Sequence, residues 1–248
     1  MTPYCGCVHI EGVKELICRM YGTIGIVNTF PISYKDENAN IMRAVAPRHN
    51  SHNERSSQSP YNELDWHSDA AYRPMIKTGN LSPGPDYLVF GVVHKGHEGL
   101  PIVYISPEDI LKQLTREDIA VGLSPEFAVS SPDSFFNKVE SKLVPLLFKN
   151  AHGGFSNRIN LQNCRPLTIR ADHFLKKIRE ITSQRKIQNF IDVEAGDIVV
   201  LNNKLTLHKR DSYEPKWDGK DRYFIRIYSV KDLNQGVLSD PNKPWVWT

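Results

Sequence analysis

The pattern that most restricts this chain lies in its last third, where Arg222-Tyr-Phe-Ile-Arg-Ile-Tyr-Ser-Val230 alternates strictly. Successive side chains of a strand point to opposite faces, so Tyr223, Ile225 and Ile227 share one side. Arg222, Phe224, Arg226 and Tyr228 share the other, with the two arginines on a common face. Further strand signals precede it: an apolar run over Asp86–Val93, then Ile187–Val193 and Asp197–Leu201, separated by Glu-Ala-Gly.

Helical signals are fewer. Val13–Tyr21 reads as a helix running into a strand at Thr23–Asn28. Pro107–Arg116 reads as a short helix, capped by Ser106, with Pro107 in the first turn and Asp109 complementing the dipole. Asp172–Ser183 reads as the longest, with Phe174, Ile178 and Ile181 on one side. Many short strands joined by Gly/Pro/Asn-rich loops, with a few helices outside, predict a mainly β fold of barrel or jelly-roll type. No repeat and no Pro/Gly linker divides residues 1–248, so one domain is expected. The polar segment 47–62, rich in Ser, Asn, His and Arg, is expected to be irregular, and the region around 47–66 to act as a lid.

Composition narrows the function classes. At 40% hydrophobic and 24% charged residues the chain has a globular balance. It has no run of about 18 apolar residues that could span a bilayer. Met1–Ile10 lacks the basic-then-apolar pattern of a secretory signal, which makes a cytoplasmic setting the expectation. Lys and Arg total 31 against 28 acidic residues and are interleaved with them. The densest basic run, Lys176–Lys186, reads as a solvated helix face, so no nucleic-acid partner is expected. Cys5, Cys7, Cys18 and Cys164 make no disulfide framework, and a Cys5/Cys7/His9 metal clip lacks a fourth ligand nearby.

Three pieces carry chemistry. Trp66-His67-Ser68-Asp69 places an imidazole and a carboxylate two residues apart, where they can converge. Gly196-Asp-Ile-Val-Val-Leu-Asn-Asn203 is a buried strand and turn that leads to His208. Arg222 and Arg226 form the third. Two histidines and one carboxylate on one side of a metal are the facial triad of non-haem Fe(II) oxygenases, which leaves positions open for a 2-oxo acid and dioxygen. A planar Arg fork suits the distal carboxylate of such an acid better than Lys does. Read singly, each residue has an ordinary alternative: His67 as a core or surface histidine, Asp69 as a turn residue or cap, and Arg222 as a surface partner of Asp221 or Asp218. Arg226 reads equally as a structural ion pair.

Taken together, His67-x-Asp69, His208 and Arg222, with Gly196-Asp197, Asn202-Asn203 and Trp217–Tyr223 around them, resemble a known family. It is that of the Fe(II)/2-oxoglutarate-dependent oxygenases of the clavaminate synthase and taurine dioxygenase type. The likeness runs from about Tyr21 to Val230, sharpest in the two motif blocks. It implies a double-stranded β-helix, Fe(II) held by His67, Asp69 and His208, and Arg222 on the distal carboxylate of 2-oxoglutarate. Arg226 would aid that grip or bind an anionic substrate group. The implied activity is hydroxylation of an unactivated C–H bond of a small amino-acid-like substrate, with O2 as oxidant. A carboxylate at Asp69 argues against halogenation, since halogenating relatives carry a small residue there.

One departure from the family lies beside the expected cosubstrate site, and a second is an N-terminal part that reads as several dozen residues shorter than in clavaminate synthase relatives. Relatives usually place a Thr opposite the Arg, in the stretch corresponding to Gly99–Tyr104, whereas Pro101 and Ile102 offer no hydroxyl. Three alternatives stay open: a taurine-like sulfonate dioxygenase, a cupin-like metal enzyme without a 2-oxo acid, and a silent ligand-binding barrel. His49, His52, His94, His97 and His152 are expected to be non-ligands. Asn62, Glu63 and Asp65 are expected in an exposed loop, with a pocket lining as the alternative. Trp245 and Trp247 are expected to pack as a tail, and the oligomeric state is not fixed.

Overall fold

A computed structural model describes residues 1–51, 56–132, 139–150 and 152–248. In chain order the helices are α1 (Lys14–Ile26), α2 (Pro107–Leu111), α3 (Arg116–Gly122) and α4 (Ile169–Thr182). The strands before α2 are β1 (Phe30–Tyr34), β2 (Met42–Val45), β3 (Leu64–His67), β4 (Tyr87–His94) and β5 (Ile102–Ile105). Between α3 and α4 come β6 (Phe127–Ser130), β7 (Glu140–Val144), β8 (Leu147–Lys149), β9 (Phe155–Asn157) and β10 (Cys164–Pro166). The last are β11 (Asn189–Ile191), β12 (Ile198–Asn202), β13 (Leu207–Arg210), β14 (Tyr223–Val230) and β15 (Val246–Trp247). The molecule is mostly β-sheet with a few helices.

Two sheets position the site. The larger runs β12-β4-β14-β1-β15, with β2 also paired to β14, and the smaller runs β11-β5-β13-β3. All eight residues of β14 are buried, as its alternation requires. Its Tyr223, Ile225 and Ile227 pack with Leu16, Met20 and Ile24 of α1 on the outer face. Phe224 and Tyr228 join Leu88, Phe90 and Ile102 in a second core on the inner face, towards the smaller sheet. A third core packs Val103 and Ile105 of β5 against Phe174, Ile178 and Ile181 of α4. Gly91 of β4 lets α1 lie close, because a Cβ there would collide with the sulfur of Met20.

Two local expectations are corrected. Thr23–Asn28 is not a strand: α1 continues to Ile26, because Ile24 extends the buried Leu16–Met20 stripe, and the chain turns at Asn28 (φ 52°). The helix expected over Pro107–Arg116 ends at Leu111, and Arg116 opens α3, which Thr115 and Asp118 start afresh with a capping box. The Ser106 cap is present, accepting from the Glu108 amide at 3.3 Å. Segment 47–62 contains no helix or strand among its described residues, and His52 lies outside them. Within the basic run, Lys176, Lys177 and Arg179 pair with Asp172, Asp118 and Asp65. Trp247 is fully buried in β15, which pairs with β1, while Trp245 is partly exposed.

Candidate metal centre

The smaller sheet brings the two motif blocks together. β3 and β13 are antiparallel, with His208 directly opposite His67 in the register. Their rings lie 4.2 Å apart, centroid to centroid. Asp69 follows two residues beyond His67, past the end of β3, and the chain then turns through Ala70 in a left-handed conformation (φ 53°). Asp69 Oδ1 lies 3.3 Å from His67 Nε2 and 3.6 Å from His208 Nε2. Three donor atoms thus converge from two imidazoles and one carboxylate.

The surroundings leave those atoms available as ligands. His67 Nδ1 lies 2.7 Å from the Asp65 carbonyl, which fixes its proton there and leaves a lone pair on Nε2. Burial, then the neighbouring His67, pulls His208 down to about 3, so it stays neutral. Burial alone would raise the Asp69 carboxyl, but the Arg226 guanidinium outweighs it and holds the group well below the usual range. Its second oxygen, Oδ2, accepts from Arg226 Nη1 at 2.6 Å and from Tyr228 Oη at 3.2 Å. Buried carboxylates survive as ions only when paired in this way.

Two recesses, with about 570 and 520 Å³ of empty space that opens to solvent, flank this cluster. They share Ser57, Leu64, His67, Asp69 and Arg226 as a common wall. The first holds Glu37 and Arg43 beside Arg226. Arg226 Nη2 reaches Glu37 Oε2 at 2.8 Å, and Arg43 reaches the same oxygen at 2.9 Å. Burial works against the Glu37 carboxylate, yet the two guanidiniums keep its pKa below the usual range.

The second recess is lined by Phe90, Ile102, Phe224, His208 and Arg222. Arg222 donates through Nη1 to the Leu100 carbonyl at 2.6 Å, and its guanidinium lies over the Phe224 ring at 4.0 Å. It has no carboxylate partner among the described residues, and its Nε is buried without a hydrogen bond. Burial lowers its pKa to about 10. Asp221, a possible surface partner, is instead occupied by the Tyr4 hydroxyl and the Lys216 and Trp217 amides. A buried cation over an apolar floor, beside a cluster of metal donors, fits a dianionic chelating acid.

The structure thus brings His67, Asp69 and His208 to one point and sets Arg222 in an adjoining recess. It turns both terminal nitrogens of Arg226 onto carboxylates. Ile102 gives the second recess an apolar wall, and the one hydroxyl there, among the described residues, is that of Ser57. Asn62, Glu63 and Asp65 border a separate outer cleft with Arg179. His49 stacks on Trp217, and His97 pairs with Asp218. Sequence reasoning missed Glu37, which reads as a polar turn, and gave no role to Asn203, whose side-chain amide grips the Asp69 backbone.

Residues 109–228 match the family model "Taurine catabolism dioxygenase TauD, TfdA family". L-asparagine oxygenase of Streptomyces coelicolor is 24% identical over 138 residues, covering 55% of this chain and 40% of that protein. Clavaminate synthase 2 of Streptomyces clavuligerus is 46% identical over 44 residues, covering 18% of this chain and 13% of that protein. The alignments therefore span less than half the length of either relative. Asparagine oxygenase, solved with Fe(II), 2S,3S-3-hydroxyasparagine and succinate, superposes with a TM-score of 0.82 at 20% identity, over 99% of this chain and 74% of that one. A mutant of the non-heme iron oxygenase OrfP, solved with (3S)-hydroxy-L-Arg, gives 0.80 at 18% identity, over 100% and 75%.

Proposed function

We propose that this chain belongs to the TauD-like superfamily of Fe(II)/2-oxoglutarate-dependent oxygenases and hydroxylates an unactivated C–H bond of a small amino-acid-like substrate, a reading supported by the family model and the relatives it matches. In this reading the two facing sheets are the halves of a double-stranded β-helix. Residues 1–248 act as one oxygenase domain, with the region around 47–66 as its lid. In this reading the protein works in the cytoplasm.

One observation carries the reading: the convergent donors of His67, Asp69 and His208 stand beside Arg222, a buried guanidinium without a carboxylate partner among the described residues. His67, Asp69 and His208 would hold Fe(II). With 2-oxoglutarate and O2, the bound metal would supply the oxidising power that inserts one oxygen atom into a C–H bond, while the cosubstrate leaves as succinate and carbon dioxide. The protein's own residues position and exclude water. Arg222 takes the distal carboxylate of 2-oxoglutarate, and Phe90, Ile102 and Phe224 keep that ion pair dry. Asp69 presents Oδ1 to the imidazoles while Arg226 and Tyr228 restrain Oδ2.

The first recess supports the amino-acid class. Glu37 offers a buried negative charge, and Arg226 and Arg43 offer positive charge, a pattern that suits an α-ammonium and an acid group on one small molecule. The ligands bound by the structural neighbours, hydroxylated Asn and Arg, support the same choice. The Asp69 carboxylate favours hydroxylation over halogenation.

The test is a screen of free amino acids with Fe(II), ascorbate and 2-oxoglutarate, read by succinate release and product mass. The expected result is succinate formed together with a product heavier by one oxygen. Turnover with taurine-like sulfonates alone overturns the substrate class. Absence of the visible band of the Fe(II)–2-oxoglutarate chelate under anaerobic conditions overturns the reaction class.

A further inference from the structure

A metal ligand placed just past the end of a strand has lost the ladder that would fix its backbone, and Asp69 is in that position. Its peptide N–H and carbonyl are both held by one side chain, Asn203, 134 residues away. Asn203 Oδ1 accepts from the Asp69 amide at 2.8 Å, and Nδ2 donates back to the Asp69 carbonyl at 3.0 Å. The same Nδ2 also donates to the Pro85 carbonyl at 3.1 Å. The Asn203 backbone amide binds the Asp86 carbonyl at 2.8 Å. Asn203 is almost fully buried and lies in the turn between β12 and β13, five residues before His208.

We propose that Asn203 is a positioning residue of the metal centre: its amide replaces the missing ladder rung and aims the Asp69 carboxylate at the two imidazoles. This rests on the reading of His67, Asp69 and His208 as iron ligands. The chemistry selects Asn. An amide presents one acceptor and two donors in a plane, matching a peptide group in the way a neighbouring strand would. Asp cannot donate and Ser is too short to span both groups. The clamp also acts where the backbone resists, since Ala70 adopts a left-handed conformation that residues with a Cβ seldom take. By gripping Asp69 from the turn that leads to β13, Asn203 ties the carboxylate to the element carrying His208, so the ligands keep a common frame.

A role confined to stabilising the turn predicts a lower Tm and unchanged metal binding; a positioning role predicts a change in metal affinity as well. The experiment is an anaerobic Fe(II) titration of the full chain with 2-oxoglutarate, read by the visible chelate band, on Asn203→Ala and Asn203→Ser. Thr29→Ala serves as the control. Thr29 is also buried, and its hydroxyl bonds the Ile24 carbonyl and Ser229 at 3.3 and 3.2 Å, away from the metal donors. Loss of groups that orient metal ligands typically weakens affinity by about 10–100-fold. That rise in Kd is expected for both Asn203 variants, with the band restored at saturating Fe(II), because every ligand is still present. Thr29→Ala is expected to lower Tm with Kd within about twofold of the parent. If both Asn203 variants bind as the parent does, the proposal is overturned while the oxygenase reading stands. If the parent itself binds no Fe(II), the reading falls first and the proposal with it, before any variant is compared.

Discussion

The two recesses on either side of Asp69 solve opposite problems with similar residues. In the first, each of the two arginines meets a carboxylate: Arg226 is held by Asp69 and Glu37, and Arg43 by Glu37. Charge there is internally balanced, and a ligand must compete for it. In the second, Arg222 sits over Phe224 and donates to the Leu100 carbonyl, a neutral partner, so its charge is available to an incoming anion. Two arginines four residues apart, one just before β14 and one within it, therefore have different electrostatic roles, decided by their neighbours rather than by their spacing. Under the proposed function the balanced chamber would receive the zwitterionic substrate and the unbalanced one the anionic cosubstrate.

That contrast can be broken at several points. Asp69→Ala removes the one carboxylate in the wall the recesses share. It is expected to abolish hydroxylation and to weaken Fe(II) binding beyond the roughly 10–100-fold cost of losing an outer partner; calorimetry of Fe(II) uptake would check it. Arg222→Ala comes next. Loss of a charge-assisted pair is worth about 1.5–3 kcal/mol, or roughly ten- to a hundredfold in the 2-oxoglutarate KM. The KM for the amino-acid substrate should stay nearly constant. A similar rise in both constants would show that the recesses are not separate.

Glu37→Gln tests the balanced side. It removes the negative charge that Arg43 and Arg226 share, which should cost about 1–3 kcal/mol of stability, seen as a lower Tm. It should also raise the substrate KM while leaving 2-oxoglutarate binding within about twofold. The smallest effect is expected from Ser57→Ala. As the single hydroxyl among the described residues of the second recess, Ser57 should contribute one neutral hydrogen bond of about 0.5–1.5 kcal/mol to 2-oxoglutarate, a rise of roughly two- to tenfold in KM. The first recess has other hydroxyls, including Tyr72 and Tyr228, and should register little.

Much of this was legible in the sequence, and the limits are physical. Period-two alternation placed β14 and sorted its two faces, because burial on both sides leaves no freedom of register. The His67-x-Asp69 and His208 blocks were readable as short local patterns, and the ladder between β3 and β13 explains their meeting. The end of α1 was misjudged because Thr23–Asn28 is rich in β-branched residues, whose local preference lost to the packing of Ile24 against β4 and β14. Glu37 carried no signal: its partner Arg226 is 189 residues away, and a buried acid in a Lys-Asp-Glu turn looks like any surface one. Asn203 was visible as a motif letter, but its clamp on Asp69 exists only in three dimensions.

The complete burial of β14 couples the chemistry to the scaffold. Its odd positions, Tyr223, Ile225 and Ile227, seat α1, while its even positions carry Arg226 and Tyr228 to the carboxylate of Asp69. A repacking substitution beneath α1, remote from any ligand, would displace the same backbone that aims the guanidinium. Thermal tolerance and the setting of the Asp69 carboxylate therefore share one strand, and a variant selected for either should shift the other.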